Sequence, residues 1–252
     1  TDFGLEDHYV GAMKGAILNR CPQAHVVDIS HGIPPFSVLS GAYALSQAAP
    51  YFPRGTVHVV VVDPGVGTTR RAILVSAGGH TFIAPDNGVL TLALEHLRPS
   101  VVRQIANAEL FRHPVSATFH GRDIFGPVGA AIAAGVDAQI VGPEIVDYVT
   151  LSDTEPQQTG TASWRGIALS VDRFGNIITN FPASEFARPG LVLSVAGSQI
   201  REIYPTFGAA PEGAIFLYTG SSGFLEIAAN RASAAQTLRV QAGAPLELSL
   251  DR

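Results

Sequence analysis

The feature of the sequence that most constrains the fold is an apolar run that ends at an aspartate. Residues Val57 to Val62 are apolar except for His58, and an Asp-Pro-Gly turn then leads to Arg70 and Arg71. A β-branched run of this length is typical of a central strand buried on both faces. Ligands bind at the carboxyl ends of strands in open α/β sheets, which makes Asp63 a candidate functional residue. An Asp-Pro-Gly turn also forms for structural reasons alone, so both interpretations stay open.

The first two-thirds of the chain alternates helix-like and strand-like segments. We expect helices over 6–18, 37–48, 89–97 and 123–134, and strands over 25–29, 57–62, 72–76, 81–84 and 101–105. Because strands alternate with helices, the pattern predicts an α/β domain over residues 1–152 with a mostly parallel central sheet. The turn-like motif at Thr1 to Gly4 suggests that a further strand precedes it.

The character of the sequence changes after this domain. A polar stretch over 153–162 contains proline and glycine and predicts a linker. Six short strand-like segments follow, over 167–171, 176–179, 191–195, 214–218, 225–228 and 246–250, with turn residues between them and little helix. Residues 163–252 are therefore expected to form a smaller all-β, barrel-like domain.

Composition excludes several classes of protein. Hydrophobic residues make up 46% of the chain, which excludes global disorder, and a net charge of −5 lacks the basic character of a nucleic-acid binder. The single cysteine fits a reducing compartment such as the cytoplasm, although a secreted protein without disulfides has the same count. No apolar stretch approaches ~18 residues, so we expect no membrane span, and we expect no signal peptide.

Polar clusters that contain glycine mark the candidate sites. Asp2, with Asp7 close behind, could accept both hydroxyls of a ribose or could cap the following helix. His120 lies in a glycine-containing loop that opens a helix, which favours a functional role over that of a lone structural histidine. We favour a structural turn for Asp86 and Gly88, and turn chemistry is also the alternative for 171–176 and 220–224. Walker, GxGxxG, nucleophile-elbow and paired metal-ligand motifs are absent, so we expect no metal.

Six ordered motifs resemble one enzyme family. TDFG, VDISHGIPPF, VVDPGVGTTRR, FIAPDNG, TFHGRDIF and VDRFGN together resemble the S-adenosyl-L-methionine hydroxide adenosyltransferases, which hydrolyse that substrate to adenosine and methionine. Fluorinases and chlorinases are relatives of this family. The resemblance covers essentially the whole chain. It implies an α/β domain followed by a β-barrel, no cofactor, and a homotrimer whose nucleoside site lies between one subunit's first domain and its neighbour's second.

The resemblance also implies roles for individual residues. The catalytic set falls on Asp63, Arg70 and His120, with Arg70 preferred over Arg71 because it lies seven places after the aspartate. The expected substrate-binding residues are Asp2 and Asp7 near the ribose, Phe36 over the sugar and sulfonium, Asp172 and Ser221 at the amino acid, Asn176 at the adenine edge, and Phe174 or Phe224 as a stacking face. Ser222 stands where the halogenases carry an arginine.

The chemistry of a sulfonium suits this set of residues. The leaving group departs as a neutral thioether and needs no general acid. Water, in contrast, is a poor nucleophile, and a positioned base that accepts its proton raises the rate by ~10²–10⁴-fold. Asp63 is the candidate base, but we expect Arg70 to lower its pKa and weaken it. The alternative is that Arg70 holds developing hydroxide while Asp63 and His120 orient it.

Two other functions stay open. The first is a chlorinase-like halogenase, which should exclude a carboxylate from its halide pocket because two anions in a dry site repel each other. The halogenases carry a tyrosine where Asp63 stands, so Asp63 favours water. A non-catalytic adenosyl-ligand binder would keep Asp2, Phe36 and Asn176 without needing the catalytic set. We therefore favour hydrolysis.

Overall fold

The computed structural model describes residues 1–250, and its contacts divide the chain into two compact units, Thr1–Leu151 and Ser152–Arg252. No helix in the described range is long and apolar enough to span a bilayer. The two units are described separately below.

The first unit contains four helices and four strands. They are α1 Tyr9–Arg20, α2 Val38–Ala48, β1 Val57–Val59, β2 Ala72–Ala77, β3 His80–Pro85, α3 Thr91–Leu97, β4 Pro99–Gln104 and α4 Gly126–Ala133. A π-helical turn at Gly121–Phe125 precedes α4, and short 3₁₀ turns lie at Ala49–Tyr51, Ala108–Leu110 and Ala138–Val141. The helix predicted over 123–134 is therefore split into a π turn and α4.

The sheet of the first unit is mixed, so the prediction of a mostly parallel sheet is wrong. Its strand order is β1-β3-β2-β4, and only β1 and β3 pair in parallel. The strands predicted over 72–76 and 81–84 are confirmed as β2 and β3, which form an antiparallel hairpin, and β4 also pairs antiparallel with β2. An apolar run predicts that a strand is buried but carries no information about the direction of its partner, which explains the error.

The run that ends at Asp63 lies on the outer strand of this sheet, not at its centre. Only Val57–Val59 form ladder pairs, yet the chain stays extended, and Val60 N–H donates to Ile83 O at 2.9 Å. Val60 and Val62 pack with α2 and α3 on one face, and Val61 packs with α1 and α4 on the other. Burial on both faces, which the run predicted, fixes the position at which Asp63 leaves the sheet.

The strand predicted over 25–29 is not present. These residues pair with no strand, and Val27 is 65% exposed. An apolar cavity of about 420 Å³ is lined both by this segment and by β1. Alternating apolar residues favour an extended backbone, but a strand also requires a partner for its hydrogen bonds.

The second unit is an antiparallel sheet of eight strands with two short helices. The elements are β5 Gln157–Gly160, β6 Ser163–Val171, β7 Ile177–Pro182, α5 Ala183–Phe186, β8 Leu191–Val195, β9 Ser198–Ile200, β10 Ile215–Thr219, β11 Phe224–Ala229, α6 Ala234–Leu238 and β12 Pro245–Leu250, with a 3₁₀ turn at Phe207–Ala209. The strand order is β10-β11-β7-β6-β12-β8-β9, and β5, which lies within the predicted linker, pairs with β6.

This sheet curls into a nearly closed barrel. The two ends of the strand order approach each other after β9, where Tyr204 N–H donates to Leu217 O at 3.0 Å and Leu217 N–H donates to Glu202 O at 2.8 Å. The interior is filled by aliphatic and aromatic side chains, including Phe181 and Leu193, both fully buried. The predicted barrel-like β domain is confirmed.

Candidate active site

A tight turn after β1 brings Arg70 back onto Asp63. Val66 N–H donates to Asp63 O and Thr68 N–H to Gly65 O, each at 3.2 Å, so the chain reverses within a few residues. Thr68 Oγ1 also donates to Gly65 O at 2.7 Å. Gly67 has a φ of +77°, a conformation that favours glycine. The Asp-Pro-Gly motif therefore forms the turn through which Arg70, seven residues later, returns to Asp63.

Asp63 and Arg70 form a buried, two-point ion pair. Arg70 Nε donates to Asp63 Oδ1 at 3.0 Å, and Arg70 Nη2 donates to Asp63 Oδ2. The side chains are 5% and 8% exposed. A guanidinium that meets a carboxylate at two points fixes the orientation of both groups as well as their separation.

His120 joins this pair from a distant part of the chain. Arg70 Nη2 lies 3.0 Å from His120 Nδ1. Arginine has donors only, so Nδ1 must accept this hydrogen bond, and the ring proton of the neutral imidazole then lies on Nε2. The Phe125 ring packs 5.3 Å from Arg70 Cζ and covers the guanidinium.

The pKa values of Asp63 and His120, the two ionisable neighbours of Arg70, shift in opposite directions. Burial raises the pKa of Asp63. The charge and hydrogen bonds of Arg70 lower this pKa, as expected, but they offset only part of the rise, so the net shift is upward and Asp63 is not weakened as a base. Burial, followed by the charge of Arg70, lowers the pKa of His120. The site therefore holds a carboxylate of raised basicity, paired with Arg70, beside an imidazole that is uncharged at neutral pH.

Arg71 points away from this cluster. Its guanidinium pairs with Asp86 and Asp147, and Asp86 Oδ1 also accepts a hydrogen bond from Val149 N–H at 2.7 Å. Asp86 therefore anchors the last residues of the first unit to the sheet, as the structural interpretation of this turn expects. The cluster at Asp63 contains Arg70 and not Arg71.

A second polar group in the first unit joins Asp2 to Phe36. Asp2 Oδ2 accepts a hydrogen bond from Phe36 N–H at 2.9 Å, and Phe36 is 73% exposed with a φ of +67°. A bulky residue in this conformation is strained, and such strain clusters at functional sites. Asp2 does not cap α1, whose N-cap is His8, and Asp7 is exposed just before it.

Asp172 organises a polar turn in the second unit. Its Oδ1 accepts from Phe174 N–H at 2.9 Å and from Asn176 N–H at 2.8 Å, and its Oδ2 accepts from Asn176 Nδ2 at 2.7 Å. These three residues line a cavity of about 590 Å³. Phe174 is 79% exposed, so its ring is available to a ligand.

The sequence predictions missed other residues of this second region. Phe207, Tyr218 and Arg231 line the same cavity, whereas Ser221 and Phe224 do not. Ser221 lies exposed in the turn between β10 and β11. Beneath that turn, Tyr218 Oη donates to buried Glu226. Burial raises the pKa of Glu226, and Asp172 adds to the shift. The one signal in the sequence that could have identified Glu226 is its position as a charged residue within the apolar run of β11.

Within residues 1–250 no three His, Cys, Asp or Glu side chains form a group able to hold a metal.

Comparisons with known proteins cover both units. Residues 1–142 match the family model of the SAM hydroxide adenosyltransferase N-terminal domain, and residues 166–247 match that of the C-terminal domain. A (R)-S-adenosyl-L-methionine hydrolase from Thermus thermophilus is 40% identical, over 98% of this chain and 97% of the relative. A fluorinase from Nocardia brasiliensis is 26% identical, over 99% of this chain and 95% of the relative. The crystal structure of an uncharacterized conserved protein from Thermotoga maritima superposes with a TM-score of 0.89 at 38% identity, over 98% of this chain and 97% of that one.

Proposed function

The chain belongs to the SAM hydroxide adenosyltransferase family, and from this premise we propose that it hydrolyses S-adenosyl-L-methionine to adenosine and L-methionine. The observation that carries the proposal is the buried pair of Asp63 and Arg70 in contact with the half-buried His120. A carboxylate with a raised pKa beside a neutral imidazole suits the activation of water.

The proposed reaction is an in-line displacement at the ribose 5′ carbon. An oxygen–carbon bond forms from water, the carbon–sulfur bond breaks, and its electron pair leaves with methionine as a neutral thioether. The proton of the attacking water passes to Asp63, whose two oxygens each keep a second lone pair after Arg70 is bound. His120 Nε2–H donates a hydrogen bond that orients the water, and Arg70 holds both partners in place.

Substrate binding is assigned to the remaining predicted residues. Asp2 takes the ribose hydroxyls, with Asp7 nearby, and the exposed ring of Phe36 covers the sugar and sulfonium. Asp172 and Ser221 bind the amino acid moiety. Asn176 meets the adenine edge, with Phe174 or Phe224 stacked on the base. The protein acts without a cofactor as a cytoplasmic homotrimer in which neighbouring subunits share each nucleoside site.

Isotope-labelled water gives the most direct test. Incubation with S-adenosyl-L-methionine in halide-free H₂¹⁸O should yield methionine and adenosine carrying ¹⁸O at the 5′ hydroxyl, resolved by chromatography and mass spectrometry. Asp63→Ala and His120→Ala should lose turnover by ~10²-fold or more while still binding the substrate. Asp137→Asn, which changes an exposed aspartate that caps a 3₁₀ turn, serves as the matched control.

The outcomes separate the competing functions. Intact substrate after a long incubation, despite binding, would leave a non-catalytic adenosyl-ligand binder. A 5′-halogenated product formed only on addition of chloride or fluoride would point to a halogenase. Equal loss of binding and turnover in both alanine variants would make Asp63 and His120 structural.

A further inference from the structure

Asp123 is a fully buried carboxylate that ties together both ends of the loop carrying His120. Its side chain has an exposure of 0% and accepts four hydrogen bonds. Oδ1 receives Arg112 Nη1 at 3.1 Å and Arg122 Nε at 2.7 Å, and Oδ2 receives Arg122 Nη2 at 2.7 Å and Ser116 N–H at 2.9 Å. Arg112 N–H also donates to Asp123 O at 2.8 Å. One residue thus accepts hydrogen bonds from the first residue of the loop 112–120, from its middle and from just after its end.

The hydrogen-bond partners of Asp123 stabilise its charged form. Burial alone would raise its pKa, but hydrogen bonds from Arg122, Ser116 and Arg112 outweigh this and keep the pKa below the usual range. The Arg122 guanidinium also packs 4.8 Å from the centre of the Phe119 ring. That ring meets Phe3 and Tyr9 edge-on. The residue before His120 is therefore clamped from two sides.

Asp123 lies on the π-helical turn that presents two contacts to Arg70. The turn spans Gly121–Phe125, and Gly126 N–H closes it by donating to Gly121 O. His120 at its start contacts Arg70 Nη2, and Phe125 at its end covers the guanidinium. Single π turns inside helices occur frequently at functional sites because the extra residue redirects side chains. In an unbroken α-helix His120 and Phe125 would point in different directions.

The loop also lies directly against the Asp63 turn. A Cβ on Gly67 would overlap the Ala117 carbonyl oxygen, so the backbones of the two segments approach each other closely here. A shift of the loop would therefore move His120 and press on the turn that returns Arg70 to Asp63.

We propose that Asp123 is a positioning residue that fixes His120 and Phe125 on Arg70 by holding the loop 112–120 and the π turn in one arrangement. This inference rests on the proposed function only for its catalytic consequence, since the structural part concerns the substrate-free protein. The groups that act electrostatically on His120 are Arg70, Asp63 and Asp123. Asp123→Asn keeps the volume but removes the charge, so it weakens the arginine contacts and removes a negative charge near His120.

The experiment pairs kinetics with a direct measurement on His120. In Asp123→Asn we expect kcat to fall ~10–100-fold with KM for S-adenosyl-L-methionine unchanged within about twofold, because a displacement of about 1 Å can cost ~10²-fold and the residue does not touch substrate. NMR titration of the His120 ring should show a lower pKa than in the wild type, because Asp123 raises that pKa. Asp137→Asn is the control and should change neither quantity.

A second variant covers the case in which Asp123→Asn does not fold. Arg112 is 48% exposed, and its replacement in Arg112→Gln leaves Asp123 paired with Arg122. We expect a several-fold fall in kcat, an unchanged KM and faster amide exchange over 112–120. A folded Asp123→Asn with wild-type kcat and wild-type His120 pKa would overturn the proposal, as would an Arg112→Gln that leaves kcat and amide exchange unaltered. If the wild type itself lacks hydrolase activity, the proposed function fails, while the His120 titration still decides the role of Asp123.

Discussion

The buried pair of Asp63 and Arg70 should respond in opposite ways to the loss of one charge and the loss of both. Their side chains are 5% and 8% exposed, and burial raises the pKa of Asp63 even with Arg70 beside it. The cost of desolvating the carboxylate therefore exceeds the attraction of its partner. Removing one member of a buried pair costs about 3–5 kcal/mol, whereas replacing both by neutral groups is often neutral for stability.

We therefore expect Arg70→Met to lower the free energy of unfolding by about 3–5 kcal/mol. For a unit of this size that corresponds to a melting temperature lower by ~6–20 °C. Asp63→Asn alone should also destabilise the protein, because the buried charge of Arg70 then has no opposite charge beside it. The Asp63→Asn/Arg70→Met double variant should return to within ~1 kcal/mol of the wild type. All three should lose ~10²-fold or more of the hydrolase activity.

Scanning calorimetry and urea unfolding measure these differences, and Lys14→Met provides the control. Lys14 pairs with Asp28 on the surface, where the side chains are 35% and 39% exposed, so its loss should cost no more than ~1 kcal/mol. A double variant as unstable as the sum of the two single variants would refute the reasoning, since the pair would then be independent contributors and not one coupled unit.

Two further predictions concern pH and the turn after Asp63. The pH profile of kcat/KM should rise along an acid limb that lies above pH 3.8, because burial raises the pKa of Asp63 from that ordinary value. His120 adds no limb above 6.5, its own ordinary value, because its pKa is lowered. A profile that is already level at pH 3.8 would contradict this. Gly67→Ala should lower kcat by ~10²-fold, because its Cβ would push the Ala117 carbonyl away. Gly243→Ala is the matched control, because Gly243 has a φ of +86° and nothing lies within 4 Å of the added Cβ. It should lower the free energy of unfolding by only the ~1–2 kcal/mol of backbone strain and leave kcat unchanged. Equal kinetic effects in the two variants would show that the close approach of Gly67 to Ala117 is not the cause.

The sequence alone predicted the local structure around Asp63 but little of the fold that surrounds it. An apolar run followed by Asp-Pro-Gly predicts a buried strand that ends in a tight turn, and the structure has both. The same run could not reveal that β1 pairs with only one strand, because periodicity reports burial and not pairing. Segment 25–29 shows the same limit, since its composition resembles a strand while its backbone pairs with none.

Residues joined through the fold were harder to predict than residues joined through a turn. Arg70 lies seven positions from Asp63, but His120 is fifty positions away from Arg70, and only the family resemblance linked it to the site. Asp123 looked like an ordinary helix residue because its partners Arg112 and Ser116 come together only in the folded loop. Arg231 was missed for the same reason, since nothing near it in the sequence suggests the cavity that it lines.

The tautomer of His120 limits which group can take the proton in the proposed reaction. Arg70 occupies Nδ1 as a donor, so the neutral ring offers an N–H at Nε2 and no free acceptor nitrogen. Asp63 is then the one member of the cluster able to accept a proton from water, and its raised pKa makes it a stronger base than a solvated aspartate. The same ionised carboxylate would repel a halide held in a dry pocket. The choice of water as nucleophile therefore depends on burial that raises the basicity of Asp63 while Arg70 stays beside it as a charge partner.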